Sequence, residues 1–119
     1  MFLRRGNLIV LMFCAILVLS GCGIKVTVIN DSNEAIKNVE VVYNGGKMTL
    51  PKLESKSRIK KRISPKGESD LELKYRDHKD ALHVKKVDVY FESGIGYSGD
   101  IVITVDPNDN VTWSSTIGQ

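Results

Sequence analysis

Hydrophobic and polar residues alternate with a period of two through most of the chain after residue 22. The alternation is clearest at Leu71, Leu73 and Tyr75, which charged residues separate. A run of this kind is typical of a β-strand with one buried face. Polar turn signals divide such runs, and the strongest hairpin signal is Asn44-Gly45. No segment shows the 3.6-residue period of an amphipathic helix.

This pattern predicts an all-β domain: a single antiparallel β-sandwich of seven to eight short strands. Polar residues at the outward positions argue against a parallel sheet that is buried on both faces. The succession of strands and turns over residues 24–117 resembles bacterial immunoglobulin-like and prealbumin-like sandwich domains. The resemblance implies a fold class but no functional site, because such folds host many functions.

The inward phase of the strands predicts the core. The expected core residues are Leu73, Tyr75, Val89, Phe91, Ile103 and Trp113. One segment contains two conflicting phases, since Leu82 and Val84 share one phase and Val87 shares the other with Val89. A β-bulge near Lys85-Lys86 would bring the two phases into agreement.

The first 22 residues have a different composition. Arg4 and Arg5 precede an uncharged apolar run of 12 residues, Leu8 to Leu19, and Leu19-Ser20-Gly21-Cys22 completes the segment. A membrane-spanning helix needs about 20 apolar residues. A run this short, with these flanking residues, is typical of an export signal.

The four residues Leu19-Ser20-Gly21-Cys22 resemble the lipobox of bacterial lipoproteins. The resemblance implies that residues 1–21 are a cleaved signal peptide and that Cys22 carries lipid. It also implies that residues 22–119 form a domain anchored to a membrane outside the cytoplasm. No cysteine would then remain for a disulfide or a Cys-based zinc site, because Cys14 lies in the removed peptide.

The net charge becomes nearly neutral after removal of the signal. Of the 17 Lys and Arg residues, Arg4 and Arg5 lie in the signal, which leaves 15 against 14 Asp and Glu. This balance argues against a nucleic-acid-binding protein. The charge is nevertheless uneven, because residues 23–76 hold 12 basic and 7 acidic residues while residues 77–119 hold 3 and 7.

A run of cations is the most distinctive feature of the predicted domain. It consists of Lys56, Arg58, Lys60, Lys61 and Arg62. One interpretation is a solvated edge strand, on which lysines prevent edge-to-edge aggregation. The other is a contact surface for anionic lipid or an anionic wall polymer.

Two motifs are better explained as turns than as ligand sites. Gly94 to Gly99 matches G-x-G-x-x-G, but a strand pattern follows where a dinucleotide site needs a helix. Asp106, Asn108 and Asn110 have the spacing that opens a calcium loop. The glycine and the final glutamate that such a loop requires are missing.

The two histidines, His78 and His83, could join Asp77 and Asp80 as metal ligands. A solvated turn is the simpler interpretation, and the sequence therefore predicts no metal, no cofactor and no catalytic set.

The expected function is that of a binding module of the cell envelope. Its partner would be the membrane surface, another envelope protein or an anionic polymer. Two other classes stay open: an inhibitor or immunity-type lipoprotein, and a hydrolase whose site no motif reveals. A deep pocket with converging ionisable groups would favour the enzyme, whereas a flat basic face would favour binding.

Overall fold

Alternating inward and outward residues build eight β-strands. The computed structural model describes residues 23–66, 68–92 and 99–116, with the side chains at 68, 69 and 90–92 excepted. The strands are β1 Ile24–Asn30, β2 Ile36–Tyr43, β3 Gly46–Leu53, β4 Ser57–Ile63, β5 Glu68–Arg76, β6 Leu82–Glu92, β7 Gly99–Val105 and β8 Val111–Ser115. Within these segments no helix is long and apolar enough to span a bilayer.

The strands form two four-stranded sheets. The first has the order β4-β1-β7-β8 and is called the β1 sheet; the second has the order β3-β2-β5-β6 and is called the β2 sheet. Neighbouring strands are antiparallel except β1 and β7, which are parallel. The predicted all-β sandwich of seven to eight strands is therefore confirmed, with one parallel pair inside it.

The core lies between the inward faces of the two sheets. Its largest fully buried side chains are Tyr75, Ile36, Ile63, Leu71, Leu73, Ile101 and Ile103. The predicted burial of Leu73, Tyr75, Val89 and Ile103 is confirmed. Phe91 lies outside the residues whose side chains are described.

The predicted burial of Trp113 is wrong, because this side chain is 40% exposed. Trp113 pairs with buried Ile103, so its inward phase agrees with the pattern. However, β8 is the outer strand of the β1 sheet. An inward side chain at the margin of a sandwich is covered on fewer sides than one near the middle.

The predicted bulge near Lys85-Lys86 is also wrong. Lys85 pairs with Leu73 and Lys86 with Glu72 without interruption, and the register shifts farther along, opposite the segment from Ser69 to Leu71. The phase conflict is resolved by exposing Leu82 and Val84, which are 56% and 49% accessible. His83 consequently takes an inward position opposite Tyr75.

The strand connections gather at two ends of the sandwich. The proximal end, where β1 begins, contains Gly23 and the Asn44-Gly45 turn, whose backbone accepts a bond from Lys66 N over 2.8 Å. The hairpin predicted at Asn44-Gly45 is confirmed, although only Gly45 has positive φ. The distal end, where β1 finishes, contains the β1–β2 and β3–β4 loops and the turns at 77–81 and 106–110.

Candidate functional site

Four cations share the outward face of the β1 sheet. The antiparallel register pairs Lys25 with Arg62, Thr27 with Lys60, and Ile29 with Arg58. Because Ile24 and Val26 point into the core, Lys25 between them points outward, and so does its cross-strand partner Arg62. The resulting surface, called the basic face, consists of Lys25, Arg58, Lys60 and Arg62.

The predicted basic run is therefore divided by the strand. Lys61 pairs with buried Val26 on the inward side of β4, and its Nζ lies 3.4 Å from the carbonyl oxygen of Thr49. Lys56 precedes β4 in a turn, and its Nζ lies 3.2 Å from Oδ1 of Asp31. Sequence reasoning omitted Lys25 from the set, since it lies 31 residues before Lys56 and only strand pairing brings it to Arg62.

One carboxylate partly offsets the basic face. Asp100 on β7 pairs with Lys25, and its Oδ1 lies 3.7 Å from Nζ of Lys60. Both partners are about half exposed, so the pair contributes only about 0–1 kcal/mol. An open depression at the edge of the β1 sheet is lined by Lys25, Lys60, Lys61 and Arg62.

The basic face begins at the proximal end. A Cβ added to Gly23 would lie 3.1 Å from Cδ of Arg62, so the Arg62 side chain lies directly over the residue that precedes β1. Gly23 follows Cys22 in the sequence. β4 is an edge strand, as the first interpretation of the basic run requires. It also presents a cationic surface next to the start of β1, which bears on the second interpretation.

A second group of polar side chains converges at the distal end. Nε2 of His83 lies 2.8 Å from Oδ2 of Asp77 and 3.9 Å from Oδ2 of Asp109. The hydroxyl of Tyr75 donates to Oδ1 of Asp109 over 3.1 Å. The Tyr75 and His83 rings stack with centroids 4.8 Å apart. These four residues, called the distal cluster, join the end of the β2 sheet to the β7–β8 turn.

Two turns of the same design position this cluster. Oδ1 of Asp77 accepts the backbone N–H groups of Lys79 and Ala81, and Oδ1 of Asp106 accepts those of Asn108 and Asn110. Each turn then continues through an aspartate with positive φ, Asp80 or Asp109. Such side-chain bonds to backbone N–H groups two residues ahead are typical of Asp turns.

Of the histidines and aspartates considered as ligands, the structure brings together only Asp77 and His83. His78 and Asp80 are exposed, and the Asp106 carboxylate closes its own turn. Asp109 is the residue that sequence reasoning missed. Asp109 lies in the segment from Asp106 to Asn110, which begins with aspartate and has the same length as the segment from Asp77 to Ala81. This similarity between the two turns was the signal available in the sequence.

The electrostatics of the distal cluster favour an ionised Asp77 and a neutral Tyr75. The hydrogen bond from His83, supported by the backbone N–H of Ala81, lowers the pKa of Asp77 from 3.8 to about 2. Burial, and then the negative charge of Asp109, raise the pKa of Tyr75 well above its usual value. The cluster therefore combines a fixed hydrogen-bond donor with two carboxylates around one imidazole.

A buried amide holds the loops beside the cluster. Nδ2 of Asn30 donates to the carbonyl oxygens of Glu34 and Leu53 over 2.9 and 3.0 Å, and its Oδ1 accepts the N–H of Ser32. These bonds fix the β1–β2 loop next to the 77–81 turn. A depression between them is lined by Ser32, Asn33, Glu34, Ala35, Ile36, Asp77, His78, Pro107 and Asp109.

The remaining motif lies largely outside the described residues. Of Gly94 to Gly99, only Gly99 is described, and it begins β7. A strand therefore follows the glycines, as the sequence predicts, where a dinucleotide site needs a helix.

Comparison with known proteins supports the fold only. The chain is similar to an NMR structure of a protein from Eubacterium rectale, with a TM-score of 0.53 and 19% sequence identity. The match covers 82% of this chain and 91% of that one. No family model and no curated protein matches the chain.

Proposed function

We propose that this protein is a lipoprotein of the bacterial cell envelope that acts by binding, with lipid on Cys22 as its anchor and the basic face as its contact with an anionic surface. The observation that carries the proposal is the position of Arg62 over Gly23. The residue next to the lipobox cysteine thus lies at the same end of the domain as Lys25 and Arg62, where the basic face begins.

The lipid and the basic face have different roles in this proposal. Each buried methylene of an acyl chain contributes about 0.8 kcal/mol, so the lipid supplies attachment. Each cation near an anionic membrane contributes roughly 1 kcal/mol, so four cations set orientation. The tether is short: β1 begins at Ile24, two residues after Cys22, a reach of about 7 Å. This reach is comparable to the screening distance of about 8 Å at physiological salt.

Binding is better supported than hydrolysis by a serine nucleophile. The distal depression does contain ionisable groups, which an enzyme would need. However, the only hydroxyl side chain lining it, among the described residues, is Ser32, and its Oγ is hydrogen-bonded to Oδ1 of Asn30 and to the carbonyl oxygen of Glu34. A hydroxyl tied into a loop in this way is poorly placed to act as a nucleophile.

The anchor is tested by metabolic labelling with a fatty acid. Cys22→Ser should take up no label, because no other residue of the proposed mature chain can form the thioether. Cys14→Ser replaces the other cysteine of the chain and should be labelled like the wild type. Label on the Cys22→Ser protein would refute the lipoprotein assignment.

The basic face is tested by co-sedimentation of residues 23–119 with vesicles of increasing anionic lipid content. Lys60→Glu/Arg62→Glu should reduce binding to anionic vesicles, and physiological salt should weaken wild-type binding, because the interaction is electrostatic. The matched control is Lys74→Glu/Lys86→Glu, which changes the charge equally on the outward face of the β2 sheet. Equal loss in both variants would show that net charge, and not this face, determines binding.

A further inference from the structure

The distal cluster contains a set of metal-binding groups that the lipid anchor and the basic face do not use. Asp77 follows β5, His83 lies on β6, and Asp109 lies in the turn between β7 and β8. One imidazole nitrogen and one oxygen from each carboxylate all lie within 4.8 Å of one another. The β5–β6 connection thus brings Asp77 and His83 together, and the β7–β8 turn, which is distant in the sequence, adds Asp109.

The spacing of these atoms suits a small divalent ion. Zinc bonds of about 2.0–2.2 Å to nitrogen and oxygen place tetrahedral ligands about 3.4 Å apart. The observed separations from Nε2 of His83 are 2.8 Å to Asp77 and 3.9 Å to Asp109, one below and one above that value. All three ligand atoms lie within 4.8 Å of one another, so the two carboxylates must draw closer for every ligand atom to reach bonding distance.

Each ligand is also held by a second contact. Oδ1 of Asp77 accepts two backbone N–H groups, which leaves Oδ2 directed at His83. Tyr75 donates to Oδ1 of Asp109 and stacks on the His83 ring. Contacts of this kind orient ligands and raise metal affinity at known sites.

The negative charge of the distal cluster favours the binding of a cation. In the part of the chain that the structure describes, neither Asp77 nor Asp109 forms an ion pair with a lysine or arginine. At the same end, by contrast, Asp31 pairs with Lys56. Two carboxylates thus share a single imidazole. The side chains of Asp77 and His83 are 14% and 21% exposed, and the adjoining depression gives an ion access from solvent.

We infer that Asp77, His83 and Asp109 bind a divalent transition-metal ion, with Zn²⁺ as the best fit. Two carboxylates and one imidazole form a donor set that Zn²⁺ accepts, and water or a partner's anionic group could complete it from the depression that Asp77 and Asp109 line. Ca²⁺ is a poorer fit, because it takes six to eight oxygen ligands and has little preference for imidazole. The site stands independently of the lipid anchor.

The test is calorimetric titration of ZnCl₂ into the chelator-stripped full-length protein in detergent. The wild type should bind one ion per chain. His83→Gln and Asp109→Asn should each weaken binding at least about tenfold, because losing a ligand costs no less than losing a group that orients one. His78→Gln replaces the other histidine, which is exposed in the 77–81 turn, and this variant should bind Zn²⁺ like the wild type. Equal binding by all four proteins, or an equal loss in His78→Gln and His83→Gln, would overturn the site.

A second measurement needs no ligand variant to fold. In an NMR titration of the wild type, adding one equivalent of Zn²⁺ should shift the imidazole resonances of His83 and leave those of His78 unchanged. The spectrum of His78→Gln assigns the resonances to the two histidines. A shift confined to His78, or none at all, would refute the proposal. Excess CaCl₂ should not displace the zinc, and displacement by calcium would overturn the choice of metal.

Discussion

At the scale of single residues, Leu73 and Leu82 show that burial, and not residue type, determines how much a side chain contributes to the free energy of unfolding. Leu73 lies on β5 opposite Val41 and is fully buried between the sheets. Leu82 begins the outer strand β6 and is 56% exposed. The two leucines therefore form a matched pair within one sheet.

We expect Leu73→Ala to lower the free energy of unfolding by about 2–5 kcal/mol, because it removes buried methyl groups and leaves a cavity. Leu82→Ala should change it by no more than about 0.5 kcal/mol, the usual range for exposed positions. Denaturant unfolding of both variants measures the difference. Similar values for the two would mean that the sheet does not bury the face assigned to Leu73.

Asp77 should make stability depend on pH in the metal-free protein. Its folded-state pKa is lowered to about 2 from 3.8, mainly by the hydrogen bond from His83. A lowered pKa favours the folded state when the carboxylate is ionised, so this contribution is complete above about pH 4 and is lost as the pH falls toward about 2.

The test compares the free energy of unfolding of the wild type with that of Asp77→Asn. Both proteins are unfolded with denaturant, in the presence of a chelator, from about pH 5 to about pH 2. Asn can still accept the backbone N–H groups of Lys79 and Ala81 through its Oδ1, so the turn should persist. The wild type should lose more stability over this range than the variant does. Parallel pH profiles would show that Asp77 is not a source of the acid sensitivity.

At the scale of the element, a β-bulge lets β2 bury two residues that strict alternation would place on opposite faces. The register with β5 shifts between Lys37 and Glu40, and Asn38 lies inside this segment with φ of 50°. Ile36 and Val39 consequently both point into the core. Asparagine tolerates this left-handed conformation better than most residues do.

We expect Asn38→Val to destabilise the protein by about 1–2 kcal/mol, because a β-branched side chain opposes positive φ. Asn38→Gly should stay close to the wild type, since glycine adopts this backbone conformation without steric cost. Thermal or denaturant unfolding of the two variants provides the measurement. If valine were tolerated as well as glycine, the bulge would not depend on the residue at position 38.

At the scale of the whole molecule, the two ends of the sandwich differ in charge, and the residues that form each end do not come from one half of the sequence. Asp31 and Glu34 belong to the basic first half of the chain, yet the β1–β2 loop places them at the distal end beside the 77–81 and 106–110 turns. Lys25 and Arg62 lie at the opposite end. The seven-residue β1 separates the two ends by about 20 Å. This exceeds the screening length of about 8 Å, so Lys25 and Arg62 can act separately from the distal cluster.

The local features of the fold follow from the amino-acid sequence. Alternation with period two predicts the strands, because side chains on a strand point to opposite faces in turn. Asn44-Gly45 predicts its hairpin from the conformational freedom of glycine, which here has φ of 101°. The buried positions of Leu73 and Tyr75 follow from the same alternation. Each of these depends only on residues close together in the chain.

The packing of the two sheets selects the edge strands and the side chains that contact each other across strands. Trp113 has the inward phase but remains partly exposed, because β8 is an outer strand. Lys25 meets Arg62, and Asp109 meets His83, only through the pairing and stacking of distant strands. Local pattern carries no information about these neighbours, because the free energy that selects them comes from packing two whole sheets around one core.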